Sequence, residues 1–456
     1  MDKKVIKAII SIVGKENVLE TLEERICYSY DGTFQRGTPD LVVFPTGTQE
    51  VAEIIKLANK EKFPVFPRGA GTGLSGGSVP QSPGLALVLT QMNKIKEIST
   101  EDLLAVVEPG VVTGVLHQEV EKLGLFYPPD PASLKTCTLG GNVAENAGGP
   151  RAFKYGVTKD YVLGFEVVTP EGKIMRTGGR TVKNVTGYDL TRLLTGSEGT
   201  LGIITEITLR LLPKPQEKRT ALVIFNLLED ASHAVAAVIK NGVIPATLEI
   251  MDQITINCVE KHAHLGLPAD AGAVLLMEID GRKSQVEEDI KTIEKICRDY
   301  GSREIQLATQ AEERERLWQA RRAVSSAIVQ LNPTKISEDA TVPRSKIPEM
   351  VKRLRHIATK YELKMPIFGH AGDGNLHPNI LTDKNNPEEM ERVEQGVREI
   401  FHSALELGGT LSGEHGIGLM KKPYLQWELG EVGLEYLKAI KMAVDPNNIL
   451  NPGKIF

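Results

Sequence analysis

Two histidines, His370 and His377, bracket a glycine-rich turn in "FGHAGDGNLHPNI" (368–380), and Asn379 stands two residues after the second. Imidazole nitrogens and an amide oxygen can ligate a divalent cation, so the stretch is either a metal site or a tight hairpin that happens to hold histidines. "KMPIFGH" and "LHPNIL" read as strands joined by "AGDGN". In such a hairpin His370 and His377 can face one another, and the two-residue strand period puts Asn379 on the face of His377. Asp373, between glycines at the tip, is read as shaping the turn. A second loop, "SGEHGIG" (412–418), sets Glu414 and His415 side by side. Glu414 would complete a His-His-Glu set with open positions, suited to zinc, manganese or iron. His415 is then the candidate general base, or alternatively a fourth ligand or an orienting group.

A different chemistry is written at 67–78, "PRGAGTGLSGGS". Glycines 69, 71, 73, 76 and 77 let the backbone approach a ligand and aim successive amide hydrogens at an oxyanion, for which pyrophosphate is the natural guest. Gly71, Gly73 and Gly76 satisfy G-x-G-x-x-G, but "SVPQSPGLALVLT" follows instead of a helix and no acid comes before Glu97, so a Rossmann nicotinamide site is ruled out. Loops of the same kind recur at "VEPGV" (107–111), "YPPDPAS" (127–133), "TLGGNVAENAGGP" (138–150), "KYGV" (154–157) and "GSEGTLGIITE" (196–206).

The elements that must carry these loops divide the chain. At 456 residues it exceeds one ordinary hydrophobic core, and 41% apolar residues suffice for two or three. Residues 1 to about 215 alternate glycine loops with short β-branched runs such as "LVVFP" and "LALVLT", an α+β pattern. From Arg219, "TALVIFNL", "EDASHAVAAVIKNG" and "ATLEIMD" read strand, helix, strand, and "GAVLLMEIDG", "SQVEEDIKTIEKICRDYG" and "SREIQLAT" repeat the order. Two such units predict a ferredoxin-like antiparallel sheet with helices on one face. A net charge of -5, scattered basic residues and 5% aromatics offer no footprint for nucleic acid. The start "MDKKVIKAIISIVGKENVLE" reads as an amphipathic surface helix, its apolar run too short for a secretory signal, and no run reaches the roughly 18–20 apolar residues of a membrane span. Cys27, Cys137, Cys258 and Cys297 form no C-x-x-C pair, which argues against a zinc ribbon or an iron–sulfur cluster and fits a reducing, cytoplasmic compartment.

Taken in order, "PRGAGTGLSGG", "VEPGV", "GGNVAENAGG", "KYGVTKDYVLG", "GSEGTLGIIT", "GHAGDGNLHPN", "GEHGIG" and "DPNNILNPGK" resemble the FAD-linked D-2-hydroxy-acid dehydrogenases, from about residue 40 to the end. That family includes D-lactate dehydrogenase, the FAD-binding subunit of glycolate oxidase and D-2-hydroxyglutarate dehydrogenase. The resemblance implies an α+β chain with a vanillyl-alcohol-oxidase-type FAD-binding domain (1–215), a ferredoxin-like antiparallel-sheet cap domain (216–407), and a C-terminal segment (408–456) that closes the active site and returns to the FAD domain. It implies extended FAD held by Arg68, Gly69, Ala70, Gly71, Thr72, Gly73, Gly76, Gly77 and Ser78, with Pro131, Thr138, Gly141, Asn142, Asn146 and Gly149 lining the rest and Ile203 and Ile204 near the adenine. Asn142 and Asn146 could equally cap backbone in a glycine-rich turn. The only histidine before residue 215 is His117, in a helical-looking stretch, so the flavin is expected to be non-covalent.

By the same resemblance His370, His377 and Glu414 bind a divalent metal, Asn379 lies at the substrate, and Arg321 in "LWQARRAVSS" takes the substrate carboxylate, with Ser325 one turn later and Arg322 as a competitor. Lys335 stands near a substrate lysine of the hydroxyglutarate enzymes but at a different spacing, which leaves a dicarboxylate substrate unsupported. The implied reaction is oxidation of a small D-2-hydroxy acid, D-lactate or glycolate first, with hydride passing to flavin N5 and the hydroxyl proton to His415. Electrons would leave to a separate acceptor, an electron-transferring flavoprotein or an iron–sulfur subunit, with quinone or oxygen as further options. Two other readings stand beside it: an ether-lipid-synthase-like transferase using FAD without net oxidation, and a non-catalytic flavin relay.

Overall fold

The computed structural model describes residues 1–456. Two compact units form, Met1–Gly148 with Val157–Lys214 and Glu414–Phe456, and Gly149–Gly156 with Pro215–Gly413.

In the first unit a four-stranded sheet runs in the order β1 (Val18–Leu19), β2 (Leu41–Val43), β4 (Leu85–Val88), β3 (Val65–Arg68), with β2, β4 and β3 parallel. Helices Lys3–Val13 and Thr48–Glu61 pack on it; Val5, Ile9 and Val13 recur at four-residue spacing and join Ile54, Ile55 and Leu85 in one core. Asp2 caps the first helix by accepting from the Lys4 amide at 2.7 Å. A five-stranded antiparallel sheet follows in the order β5 (Ile95–Ser99), β6 (Leu104–Val107), β10 (Ile203–Arg210), β8 (Val162–Val168), β9 (Ile174–Gly178), beside a ribbon of β7 (Leu125–Phe126) and β11 (Leu212–Pro213).

The second unit is built on an eight-stranded sheet, β15 (Ser302–Ala308), β12 (Glu217–Phe225), β14 (Ala273–Gly281), β13 (Thr247–Asp252), β18 (Ile367–His370), β19 (Asn375–Thr382), β16 (Thr334–Ser337), with β17 (Ala340–Thr341) also on β19. Its first four strands keep the antiparallel order and connections of a ferredoxin-like sheet. Helices Leu228–Lys240 and Lys283–Asp299 lie against it as expected. The other face is covered as well, a departure from the sequence reading. Helices Gln253–Ala263 and Ala311–Ile328 bury Ile256, Val259, Ala320 and Val324 on Leu222, Ile224, Met251, Leu276 and Phe368. Alternate residues of each strand are therefore apolar on both sides, Val223, Phe225, Ile250 and Leu275 being buried too.

Two short segments join this unit through specific bonds. Residues Gly149–Gly156 are tied to β14, where Lys154 Nζ donates to Asp280 Oδ1 at 2.5 Å and the Tyr155 hydroxyl donates to Asp280 Oδ2 at 2.7 Å. Residues up to Gly413, expected to part from the cap at 408, stay with it, because the Thr410 amide donates to Thr341 O at 2.9 Å and Ser412 Oγ to Asp339 Oδ2 at 2.9 Å.

Asp252 stitches the sheet to its helices. Oδ1 accepts from Thr255 N and Oγ1 at 2.9 and 2.6 Å, and Oδ2 from Ile367 N at 3.0 Å. Burial outweighs these bonds and pushes its carboxyl up to about 6. A folded-state value above the unfolded one favours the protonated form, so this contribution is full below about pH 4 and lost as pH rises through 6, by roughly 2–3 kcal/mol. Denaturant unfolding at pH 5 and 7.5 should show that slope in the wild type and a flatter one in Asp252→Asn; identical slopes would contradict it.

Candidate functional site

The β18–β19 hairpin pairs Phe368 with His377, Gly369 with Leu376 and His370 with Asn375. His370 and His377 are thus diagonal neighbours on one face, their ring centroids 5.1 Å apart and nearly perpendicular. Both are buried. The turn is held as the sequence suggested: Asp373 Oδ1 accepts from Asn375 N at 3.2 Å, and Gly374 (φ +88°) lies so close to Val342 that a Cβ would meet its carbonyl oxygen at 2.0 Å. Asn379 is fully buried on the face of His377; its Nδ2 donates to His377 O at 2.9 Å, and its Oδ1 has no hydrogen-bond partner. A buried amide oxygen left without a donor is costly in a closed core and natural beside a ligand.

Glu249 was not anticipated. It lies opposite His370 in the β13–β18 register, and its fully buried carboxylate joins two of the expected residues. His370 Nδ1 is 2.7 Å from Oε1, and Arg321 Nε donates to Oε2 at 2.6 Å. Burial alone would raise this carboxyl, but His370 and Arg321 outweigh it and hold it below the usual range. An ionised carboxylate only accepts, so Nδ1 carries a hydrogen, and in the neutral ring that places the lone pair on Nε2. That is the tautomer of a metal-ligating histidine. The donor set fits a divalent cation: an imidazole held at Nδ1 by a carboxylate, a second buried imidazole and an unsatisfied amide oxygen. Asp339, also unanticipated, is buried with Oδ1 4.0 Å from His377 Nδ1.

The Ala311–Ile328 helix crosses this face with one side chain per strand. Trp318 Nε1 donates to Glu278 Oε2 at 3.1 Å, Arg321 reaches Glu249, and Ser325 Oγ accepts from Lys335 Nζ at 2.7 Å. The spacing of three and four residues is what one helix face allows. Arg321 is buried, its guanidinium carbon 5.0 Å from the Phe368 ring centroid, and only its Nε is engaged by a protein hydrogen bond. Arg322 instead pairs with Glu315 at the surface. Burial lowers Lys335 to about 8.

In the first unit the glycine loop leaves β3 and returns to its parallel neighbour β4. Arg68 is its prop: Nη1 donates to Tyr30 O at 2.6 Å, and the guanidinium lies under Gly71 (φ +71°), where a Cβ would come within 2.0 Å of Nη2. A Cβ on Gly69 would meet Thr138 Oγ1 at 2.3 Å. Thr138 caps the Leu139–Glu145 helix by accepting from Gly141 N at 3.3 Å. Asn142 and Asn146 each make a protein hydrogen bond, only that of Asn146 being to backbone. Asn142 Nδ2 donates to Thr113 Oγ1 at 2.7 Å, while Asn146 ends the helix with φ +55° and accepts from Lys159 N at 2.9 Å. Pro131 O accepts from Leu134 N in a neighbouring turn. Ile203 is packed in the core of the first sheet, so only its backbone is available to a ligand, and Ile204 is buried next to it. Gly149 opens the segment counted with the second unit.

From Glu414 onward the "GEHGIG" loop also belongs to the first unit. Glu198 (φ +51°), another residue missed from sequence, accepts from Ile417 N at 2.7 Å and Gly418 N at 2.8 Å, and burial raises its carboxyl. Glu145 lies under Gly416 and is raised well above its usual value by burial and by Glu198. Glu414 packs against Gly148, where a Cβ would meet Oε2 at 2.7 Å. His117, on the Thr113–Lys122 helix, has Nε2 2.9 Å from Pro129 O and packs its ring on Tyr127.

Comparison with known proteins bears out the fold and the FAD expected. Residues 214–455 match the model for FAD linked oxidases, C-terminal domain, and residues 39–178 that for the FAD binding domain. The glycolate oxidase subunit GlcD of Bacillus subtilis is 50% identical over 100% of this chain and 97% of its own. The D-lactate dehydrogenase of Anaerostipes hadrus is 38% identical over 97% and 94%. Among solved structures, p-cresol methylhydroxylase with substrate bound superposes with a TM-score of 0.81 at 21% identity, over 99% of this chain and 96% of that one, and an alkyldihydroxyacetonephosphate synthase with 0.77 at 19%, over 100% and 86%, which is likeness of fold. The chain belongs to the FAD-linked oxidases and is a flavin-dependent oxidoreductase of the glycolate oxidase and D-lactate dehydrogenase group.

Proposed function

We propose that this protein oxidises a small D-2-hydroxy acid, D-lactate or glycolate, to the 2-oxo acid with the help of a divalent metal, and hands the electrons to a separate protein. The observation that carries the reading is one buried sheet face that carries His370, His377 and Asn379, with Arg321 packed on its Phe368 and bonded to its Glu249. Glu414 would be the third protein ligand; it follows Gly413, which packs on Asn375 and Thr341 of the cap. When bound, FAD accepts the C2 hydrogen as hydride at N5, and zinc, manganese or iron acidifies the 2-hydroxyl.

The chain's own residues do the rest. Arg321 binds the substrate carboxylate through its outer nitrogens, which fixes C2 in one orientation. Asn379 Oδ1 accepts from the hydroxyl or ligates the cation. His415, beside Glu414 but outside the ligand set, takes the hydroxyl proton at a ring nitrogen. Arg68 and the loop to Ser78, with Thr138 and Gly141, hold the FAD pyrophosphate without a covalent link. The 50% identical relative is a subunit of glycolate oxidase, which supports a partner protein as acceptor; an iron–sulfur subunit or an electron-transferring flavoprotein would fill that place.

Anaerobic addition of D- and L-2-hydroxy acids should bleach the flavin with D-lactate or glycolate only, and chelation should stop it. His415→Ala should keep FAD and metal while slowing flavin reduction by about 10²–10⁴-fold. A flavin that no hydroxy acid bleaches would leave the transferase or the relay reading. Unchanged reduction by the variant would remove His415 from its role.

A further inference from the structure

We infer that Glu249 is a positioning residue that sets the two halves of the substrate site with one carboxylate: it fixes His370 as the Nδ1–H tautomer that a metal needs, and it fixes the rotation of Arg321 that a substrate carboxylate needs. The inference rests on the metal reading proposed above and adds to it a residue outside the ligand set. Three observations carry it. Glu249 is fully buried on a central strand, directly opposite His370. Each carboxylate oxygen has one partner, His370 Nδ1 at 2.7 Å and Arg321 Nε at 2.6 Å. Arg321 is engaged at Nε alone, which leaves its two outer nitrogens without a protein hydrogen bond.

No neutral side chain can replace this. Glutamine has one acceptor oxygen and one donor nitrogen, so it can accept from Arg321 Nε–H or from His370 Nδ1–H but not from both. Facing the donor end, His370 would turn to the Nε2–H tautomer, whose hydrogen occupies the nitrogen meant for the cation. Facing Arg321 with it would set donor against donor and rotate the guanidinium. Aspartate keeps the charge but is one methylene short, and it can hold one partner.

The test uses the full-length, FAD-loaded protein and Zn²⁺ alone as the probe, titrated against a chromophoric chelator. Glu249→Gln should bind Zn²⁺ about 10- to 100-fold more weakly than wild type. Flavin content should be unchanged, because the glycine cradle lies in the other unit. Glu249→Asp should recover part of the affinity. In zinc-free wild type with ¹⁵N-labelled histidine, NMR should find the His370 hydrogen on Nδ1. That measurement decides alone if the glutamine variant does not fold. Equal Zn²⁺ affinity in variant and wild type, or an Nε2–H His370 in wild type, overturns the inference and leaves the metal reading standing. A wild type that binds no divalent cation overturns the metal reading and this inference with it.

Discussion

Chelation of the wild type and the substitution His377→Ala are both expected to cut flavin reduction by D-lactate or glycolate by roughly 10³-fold, the equivalent of the several kcal/mol that a Lewis-acidic cation contributes to such a transition state. The two losses should differ in kind. Added metal should restore the chelated wild type, whereas His377→Ala, lacking one of three proposed protein ligands, should stay inactive at metal levels that saturate the wild type. His377 lies on β19 with its ring 5.5 Å from that of Phe368, so removing it also opens a small void in the cap sheet. It should leave the flavin spectrum intact, because Arg68, Thr138 and the glycine loop are all in the other unit. Elemental analysis with stopped-flow flavin absorbance checks both statements. Full-rate reduction in metal-depleted protein would end the metal reading.

What could be read from the sequence follows the range of the signal. Strand period and turn chemistry are local, and they located the hairpin, the face shared by His377 and Asn379, and the turn role of Asp373. Helical spacing likewise put Trp318, Arg321 and Ser325 on one side of a helix. Glu249 depends on a pairing 121 residues away, and nothing near it in sequence names His370 as its partner. One signal was there: "TLEIMD" is an apolar central-strand run with an acid in its middle, and a buried acid calls for a cation or a hydrogen bond. Glu198 and Asp339 lack even that, since each acts on a segment far along the chain, Ile417 and Ser412. That helices cover the second face of the cap sheet was likewise missed, because β12 and β14 read as simple apolar strands whether one face is covered or both.

Arg321→Met is expected to fail twice, for separable reasons. It leaves Glu249 buried with one oxygen unpaired, and breaking a buried pair from one side typically costs about 3–5 kcal/mol. It also removes the proposed fork for the substrate carboxylate, which should lower kcat/KM by roughly 30-fold or more, with the rise in KM as the larger part. The double variant Arg321→Met with Glu249→Met tells the two apart. With neither charge left in the core, the desolvation penalty disappears together with the attraction, so much of the lost stability should return. Substrate affinity should not return. Arg321→Lys should fall between: its single ammonium can stay near Glu249 or reach the substrate, while arginine engages Glu249 through Nε and keeps its outer nitrogens free. Thermal melts set beside steady-state kinetics for the three variants decide it. Recovery of kcat/KM in the double variant would show that Arg321 acts only as the partner of Glu249.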